Sequence, residues 1–253
     1  MSDAAYAFGV VCEARADQLT ACGLADRVLS ETVDWLDPGV RDSVYRWSGV
    51  RASPEDRFVC WKNVRAELKS RGIKSLFGHF GGEIGQHDAY IARQALLLFA
   101  SLERKPDAVL LVRDSDGDSM RGEGLEQARS TRPWPFQVVI ALAHPKREAW
   151  VLAGFEPSGP EEEARLRGLR ERLSVDPVHR SHELAAREHG AKTDLKRALK
   201  ELIRDEGDRE RQCLEQTSLS VLEQRGQQNG LAAFLAEVRE RLVPMLKGPG
   251  RTG

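Results

Sequence analysis

The sequence has few of the features that mark specialised protein classes. Its four cysteines include no pair with CxxC spacing, so neither a zinc knuckle nor a redox motif is indicated. No apolar run approaches the ~20 residues that cross a bilayer, and the first residues lack the basic and long apolar segments of a signal peptide. We therefore expect a cytoplasmic protein with reduced, mostly buried thiols and no membrane partner.

The charge balance provides no bulk attraction for nucleic acid. Lys and Arg number 38, Asp and Glu number 39, and the formal net charge is −1. Any contact with nucleic acid must therefore come from a local basic surface. Hydrophobic residues make up 41% of the 253 residues, which is enough for a sizeable core in one large domain, with or without an appendage.

Apolar runs alternate with helical periodicity over the N-terminal part of the chain. This alternation predicts an α/β domain over residues 1–157, with a mostly parallel sheet flanked by helices. Residues 39–72 are interpreted as a connection inside this domain, of which 55–70 has the pattern of a helix. The predicted strands are Tyr6–Cys12, Ile73–Phe80, Ala108–Val112 and Val138–Ala143, and the predicted helices are Gln18–Leu36, His87–Glu103, Glu123–Ser130 and Lys146–Phe155.

A short stretch of proline and glycine, Pro157-Ser158-Gly159-Pro160, separates this domain from a charged C-terminal region. Residues 158–253 are predicted to form a helical extension, whose last helix is capped by Asn229. The other predicted helices of the extension are Glu161–Leu173, Asp194–Arg204 and Cys213–Gln224.

The most informative stretch is the third predicted strand and the residues that follow it. Arg113 comes directly after the strand, and three carboxylates follow at alternating positions, Asp114, Asp116 and Asp118. Carboxylates this close together repel one another unless a cation or solvent relieves the repulsion. Mg²⁺ or Mn²⁺ is the simplest relief, because oxygen ligands suit these ions.

Glu13 lies at the end of the first predicted strand. Parallel strands share their carboxyl edge, so the fold is expected to bring Glu13 to Asp114 and Asp116. Such a group of carboxylates is suited to holding Mg²⁺ against a phosphate during in-line displacement. The alternative is that the aspartates form a solvated turn and cap the following helix.

These residues carry a resemblance to a known family. A strand followed by Glu and a later strand followed by Asp-x-Asp, in an alternating α/β chain, resemble the Toprim fold of topoisomerases, primases and OLD-type nucleases. The stretch AHPKREAWVLA, residues 143–153, resembles the Glu-x-Trp block of RloB-like Toprim proteins, which are found beside ATPases in prokaryotic defence systems; here it reads Glu148-Ala149-Trp150. The resemblance covers residues 6–155. One departure is Glu13-Ala14, where Toprim chains often have Glu-Gly.

The resemblance implies a role for each acidic residue. Asp114 and Asp116 would be metal ligands, and Asp118 would join them. Glu13 would bind metal or act as general acid or base on the scissile phosphate. Glu148 would orient a metal ligand or a lysine, although an acid on a helix surface is an equally good interpretation.

The resemblance also implies a substrate and partners. Arg113 and Lys146, near the same edge, would contact phosphate, with a surface ion pair as the alternative. The activity would be a Mg²⁺- or Mn²⁺-dependent endonuclease acting on DNA or RNA, including tRNA, in antiviral defence. The partner would be an ATPase of the ABC/SMC-like or AAA type. The sequence leaves open whether the chain also forms a homodimer.

Other functions fit the same residues less well. An EF-hand loop counted from Asp114 needs Gly at the sixth position and Glu at the twelfth, where the chain has Ser119 and Leu125. A haloacid-dehalogenase-type phosphatase would have its Asp-x-Asp-Gly near the N-terminus and a later acidic pair, and it would leave Glu13 unexplained. The alternative from a different functional class is a subunit with a Toprim-like fold that binds a partner but catalyses no reaction.

Overall fold

The computed structural model has an α/β architecture, with an open parallel sheet flanked by helices and a helical C-terminal region, as the sequence predicts. No helix in the described ranges is long and apolar enough to cross a membrane. The structure describes residues 4–51, 53, 55–74, 79–80, 82–186, 190–204 and 208–248.

The chain divides into two compact units, and each unit is made of more than one segment of the sequence. The first unit consists of residues 1–113, 119–141 and 237–253, and the second of residues 114–118 and 142–236. Residue 157, where the sequence predicts a domain boundary, lies inside the second unit.

The sheet has the strand order β2-β1-β4-β5, and the short strand β3 also pairs with β1. β1 is parallel to each of β2, β3 and β4. The pairing between β1 and β4 runs from Phe8 opposite Ala108 to Val11 opposite Leu111. The strands are β1 (Tyr6–Cys12), β2 (Tyr45–Ser48), β3 (Val59–Cys60), β4 (Ala108–Asp114) and β5 (Gln137–Ala143).

The two central strands are buried runs of apolar residues, typical of a parallel sheet covered on both faces. In β1, Gly9 faces the ring of Phe99, so closely that a Cβ at this position would overlap with the ring. Glycine therefore lets the helix that carries Phe99 pack tightly on the sheet.

Six α-helices of the first unit lie in the ranges that the structure describes. The first begins at Arg15, where the Asp17 carboxylate accepts a hydrogen bond from the Ala14 amide at 2.8 Å. The helices are α1 (Arg15–Thr32), α2 (Arg41–Val44), α3 (Val64–Ser70), α4 (Ala89–Ala100), α5 (Met120–Ser130) and α12 (Val243–Lys247).

The second unit is helical, and its core includes the indole of Trp150 stacked on Phe234, with ring centroids 5.2 Å apart. Both side chains are almost fully buried. The helices are α6 (Arg147–Ala153), α7 (Pro160–Leu173), α8 (Leu195–Ile203), α9 (Arg209–Gln216) and α10 (Leu219–Arg225), together with α11 (Leu231–Arg241), which begins in this unit and ends in the first.

The first predicted helix, Gln18–Leu36, begins at Arg15 and ends at Thr32, and three other segments differ more from the sequence prediction. Residues 39–72 contain β2 and β3, which the sequence did not predict, and only Val64–Ser70 of the predicted helix forms as α-helix. The predicted helix Cys213–Gln224 is two helices, because the Thr217 hydroxyl donates to the Gly154 carbonyl at 2.6 Å and Ser218 caps the second. The strand predicted over Ile73–Phe80 falls partly on residues 75–78, outside the described residues, and Phe80 forms an isolated bridge with Glu83.

Candidate functional site

Glu13 and Arg113 occupy equivalent positions at the ends of two neighbouring strands. The last pair in the register of β1 and β4 is Val11 with Leu111, and Glu13 and Arg113 are each two residues beyond it. The Arg113 Nη1 donates to Glu13 Oε1 at 2.5 Å. The Glu13 side chain is 45% exposed and that of Arg113 is 15% exposed, so solvent reaches the pair mainly at the carboxylate.

A second carboxylate, that of Asp88, holds the same guanidinium. The Arg113 Nε donates to Asp88 Oδ2 at 2.7 Å and its Nη2 donates to Oδ1 at 3.2 Å, a two-bond geometry that Arg favours with carboxylates. The Asp88 side chain is only 8% exposed, and the Arg121 Nε lies 3.6 Å from its Oδ2. Sequence reasoning missed Asp88; the only signal was an aspartate at the start of a predicted helix.

Trp61 completes the surroundings of Arg113. The indole ring centroid lies 5.5 Å from the Arg113 Cζ, and the indole Nε1 donates to the Val112 carbonyl at 2.7 Å. Trp61 is buried and follows β3 directly. We call Glu13, Trp61, Asp88, Arg113 and Arg121 the Arg113 cluster; all five belong to the first unit.

In the second unit, residues 114–118 form a tight turn. The Asp118 amide donates to the Ser115 carbonyl at 2.8 Å, and the two residues between them have positive φ, 49° for Asp116 and 75° for Gly117. These angles are those of a type I′ turn, for which Asp-Gly is a favoured pair. We call residues 114–118 the aspartate turn.

The aspartates of this turn have different contacts. Asp114 Oδ1 accepts a hydrogen bond from the Arg147 amide, the first residue of α6, at 2.9 Å. Asp116 Oδ1 lies 3.9 Å from the Lys146 Nζ, and its side chain is 43% exposed. The Asp118 amide closes the turn. Asp114 therefore contributes to the start of a helix, whereas Asp116 is more accessible and has a cation beside it.

Ser115, within the turn, and His144, which contacts it, were not predicted as site residues from the sequence. The Ser115 Oγ is 2.8 Å from His144 Nδ1, and Ser115 is 1% exposed. Burial, with a smaller contribution from His182, lowers the pKa of His144 below its ordinary value of 6.5, so the imidazole is neutral at pH 7. A neutral His144 supports the turn through a hydrogen bond and adds no charge to it.

The Glu148-Ala149-Trp150 block lies on α6. Trp150 donates its indole N–H to the Asn229 carbonyl at 2.8 Å, which makes it part of the core. Glu148 is 8% exposed, and its Oε2 is buried without a hydrogen-bond partner. The Arg147 guanidinium lies 3.7 Å from Glu148 Oε1. A buried carboxylate oxygen without a partner is unusual and fits the neighbourhood of a cation.

The candidate acidic residues fit Mg²⁺ or Mn²⁺ by their chemistry, because these ions prefer carboxylate oxygens. Within the ranges that the structure describes, no group of three or more His, Cys, Asp and Glu side chains could hold a metal ion. Glu13 belongs to the first unit, and Asp114, Asp116, Asp118, Lys146 and Glu148 belong to the second. A shared metal site therefore stays a prediction.

Comparisons with protein-family models, with curated proteins and with solved structures find no match. The assignment to a Toprim family thus continues to depend on the motifs in the sequence.

Proposed function

We propose that this chain is a metal-dependent nuclease that cleaves phosphodiester bonds in DNA or RNA. The observation that supports this most directly is the arrangement of the two central strands. β1 and β4 are neighbouring parallel strands, Glu13 follows β1, and Asp114 is the last residue of β4. Acids at the carboxyl ends of neighbouring parallel strands are typical of sites in open α/β sheets.

In this proposal each residue has a defined role. Asp114 and Asp116 would be ligands of the divalent ion, and Asp118 would support them. Glu13 would bind metal or accept the proton of the attacking water. Lys146, beside Asp116, is placed to attract a phosphate. The bound ion would supply Lewis-acid stabilisation of the charge that develops on the phosphate. Glu148 adds a buried negative charge beside Arg147 and so orients the residues at the start of α6.

The substitution Asp116→Asn tests this function without disturbing the turn. Asn, like Asp, tolerates positive φ, so the angle of 49° at this position remains favourable. We expect Asp116→Asn to reduce cleavage of plasmid DNA or tRNA, in the presence of Mg²⁺ or Mn²⁺, by at least about a hundredfold, because a metal ligand loses its charge. Thermal unfolding should stay unchanged; equal cleavage by the variant and the wild type would exclude Asp116 from the reaction.

A second candidate is an interaction subunit without catalysis. Its support is the bond from Asp114 to the first amide of α6, which gives one of the aspartates a structural role. Under this function neither DNA nor tRNA would be cut, even with the partner ATPase that the Toprim resemblance implies. Cleavage that depends on Asp116 would exclude it.

The remaining parts of the proposal have other grounds. The cytoplasmic location depends on the cysteines and the N-terminal sequence. The role in antiviral defence and the ATPase of the ABC/SMC-like or AAA type depend on the resemblance alone. Co-purification of an ATPase of either type with this chain would test the partnership directly.

A further inference from the structure

Two cysteines from distant parts of the chain are paired neighbours in the sheet. Cys12 is the last residue of β1, Cys60 is the last residue of β3, and the two lie opposite each other in the parallel register of these strands. Paired residues of neighbouring strands have their side chains on the same face, and the strands lie about 4.8 Å apart. This separation falls within the roughly 4.4–6.8 Å between Cα atoms that a disulfide bridges.

The contacts of the two thiols place both sulfur atoms at the same turn. The Cys12 Sγ donates to the Ala14 carbonyl at 3.2 Å, and the Cys60 Sγ donates to the Glu13 carbonyl at 3.1 Å. Because the acceptors belong to consecutive residues, the two sulfurs converge on the link between β1 and α1. Both cysteines are free thiols. Paired backbone positions and thiols that point to one place are what a disulfide between these residues requires.

We infer that Cys12 and Cys60 form a reversible disulfide when the protein is exposed to a peroxide, and that this bond locks β3 to the end of β1. The two thiols differ in access, since Cys60 is partly exposed and Cys12 is fully buried. Cys60 is therefore the thiol that meets the oxidant, and Cys12 is the thiol that resolves the intermediate. The inference depends neither on metal binding nor on catalysis by this chain.

The oxidation takes place in two balanced steps. The Cys60 sulfur attacks one oxygen of hydrogen peroxide, the O–O bond breaks, and Cys60 becomes a sulfenic acid while the peroxide is reduced to water. The Cys12 sulfur then attacks the Cys60 sulfur, so that the S–S bond forms as the S–O bond breaks. The leaving hydroxide takes up the proton of Cys12 as a second water. A thiol reductant reverses the bond by exchange.

The short strand β3 is the element that such a bond would hold. It has two residues, and its partner in the sheet is β1. Few ladder hydrogen bonds hold a strand of this length, so its amides should exchange readily with solvent. Trp61 follows Cys60 directly and lies against the Arg113 guanidinium. Locking β3 would therefore also restrain the Arg113 cluster.

Thiol counting and peptide mapping test the bond in the full chain. Native protein is treated with hydrogen peroxide, its remaining thiols are alkylated after unfolding, and its peptides are compared by mass spectrometry with and without reduction. We expect two of the four thiols to be lost, with Cys12 joined to Cys60. Four free thiols, Cys60 oxidised without a bond, a bond from Cys12 to Cys22, or a Cys60 link between two chains would overturn the inference.

Alanine variants of single cysteines are the matched controls. Cys60→Ala should form no disulfide, whereas Cys213→Ala, which changes a buried cysteine of the second unit, should still form it. Cys22→Ala should also keep the bond, because Cys60 is then the other cysteine of the first unit. Thermal unfolding of the reduced proteins shows whether each variant is folded. If Cys60→Ala is not, Cys60→Ser takes its place, since Ser keeps a donor for the Glu13 carbonyl.

Hydrogen exchange tests whether the bond acts as a lock. Oxidation of the wild type should slow amide exchange in peptides that cover residues 59–64 by about threefold or more. Dithiothreitol should restore the original rate. The same treatment of Cys60→Ala should leave the rate unchanged. Equal exchange rates in the oxidised and reduced wild type would overturn the locking role.

Discussion

Gly124 of α5 packs directly against the main chain at His87, the residue before Asp88. A Cβ on Gly124 would overlap with the His87 carbonyl oxygen and would lie 2.8 Å from the Ala89 nitrogen. The atoms it would meet are backbone atoms, which cannot rotate away as a flexible side chain can. The close approach of α5 to the start of α4 therefore fixes where Asp88 is presented to Arg113.

We predict that Gly124→Ala destabilises the protein by about 1–3 kcal/mol, because the added methyl group forces the two helices apart. The displacement should also reduce the hold of Asp88 on Arg113. Urea unfolding monitored by circular dichroism measures the change in the free energy of unfolding.

Gly23→Ala is the control for this change. Gly23 lies within α1, and a Cβ there would have no heavy atom within 4 Å. Alanine is the better helix former, so this variant should gain up to about 1 kcal/mol. A loss of stability in Gly23→Ala equal to that in Gly124→Ala would mean that steric overlap is not the cause.

The second unit contains a buried ion pair whose contribution depends on pH. The Arg209 Nε and Nη2 donate to the two carboxylate oxygens of Glu162 at 2.9 and 2.7 Å, and both side chains are buried. These hydrogen bonds lower the pKa of Glu162 from its ordinary value of 4.5 to about 2. Since the folded-state pKa is depressed, the stabilisation is complete above pH 4.5 and is lost as the pH falls towards 2.

We predict that Glu162→Gln is less stable than the wild type at pH 7 by about 3 kcal/mol, because Arg209 is left buried without its counter-charge. The difference should shrink as the pH is lowered from 4.5 to about 2, where the wild type also loses the pair. Unfolding free energies across this range measure the change.

The neighbouring variant Glu161→Gln serves as the control, since its side chain is 83% exposed. It should remain within about 0.5 kcal/mol of the wild type at every pH. A difference between Glu162→Gln and the wild type that is independent of pH would contradict the assignment of the ion pair.

The long apolar strands of the sheet could be predicted from the sequence, whereas the two short strands could not. β1 agrees with its predicted bounds, and β4 and β5 extend the predicted runs by two residues and one residue, because each has a buried core of consecutive apolar residues. β2 and β3 have only four residues and two residues, too few for a pattern to emerge, and they exist because they pair with β1.

The contacts of the candidate residues show the same limit. The meeting of Glu13 with Arg113 follows from the register of two parallel strands, and the positions at the strand ends were visible in the sequence. Asp88 was not, since it is brought to Arg113 by the packing of α4 and by a left-handed backbone conformation. Sequence patterns locate the ends of elements, whereas a contact such as this one depends on how separate elements pack.

Asp114 has a structural contact with α6 and a proposed role in metal binding, and two substitutions can distinguish these roles. Its Oδ1 accepts from the first amide of α6, so Asp114→Ala should cost about 1 kcal/mol of stability through the loss of a capping acceptor. Asp114→Asn retains an oxygen at the same place and should keep most of that stability. Both variants should lose cleavage if the charge of Asp114 binds a divalent ion. Urea unfolding and cleavage assays on the same preparations measure the two properties, and equal destabilisation by Ala and Asn would show that the charge of Asp114, not its capping oxygen, stabilises α6.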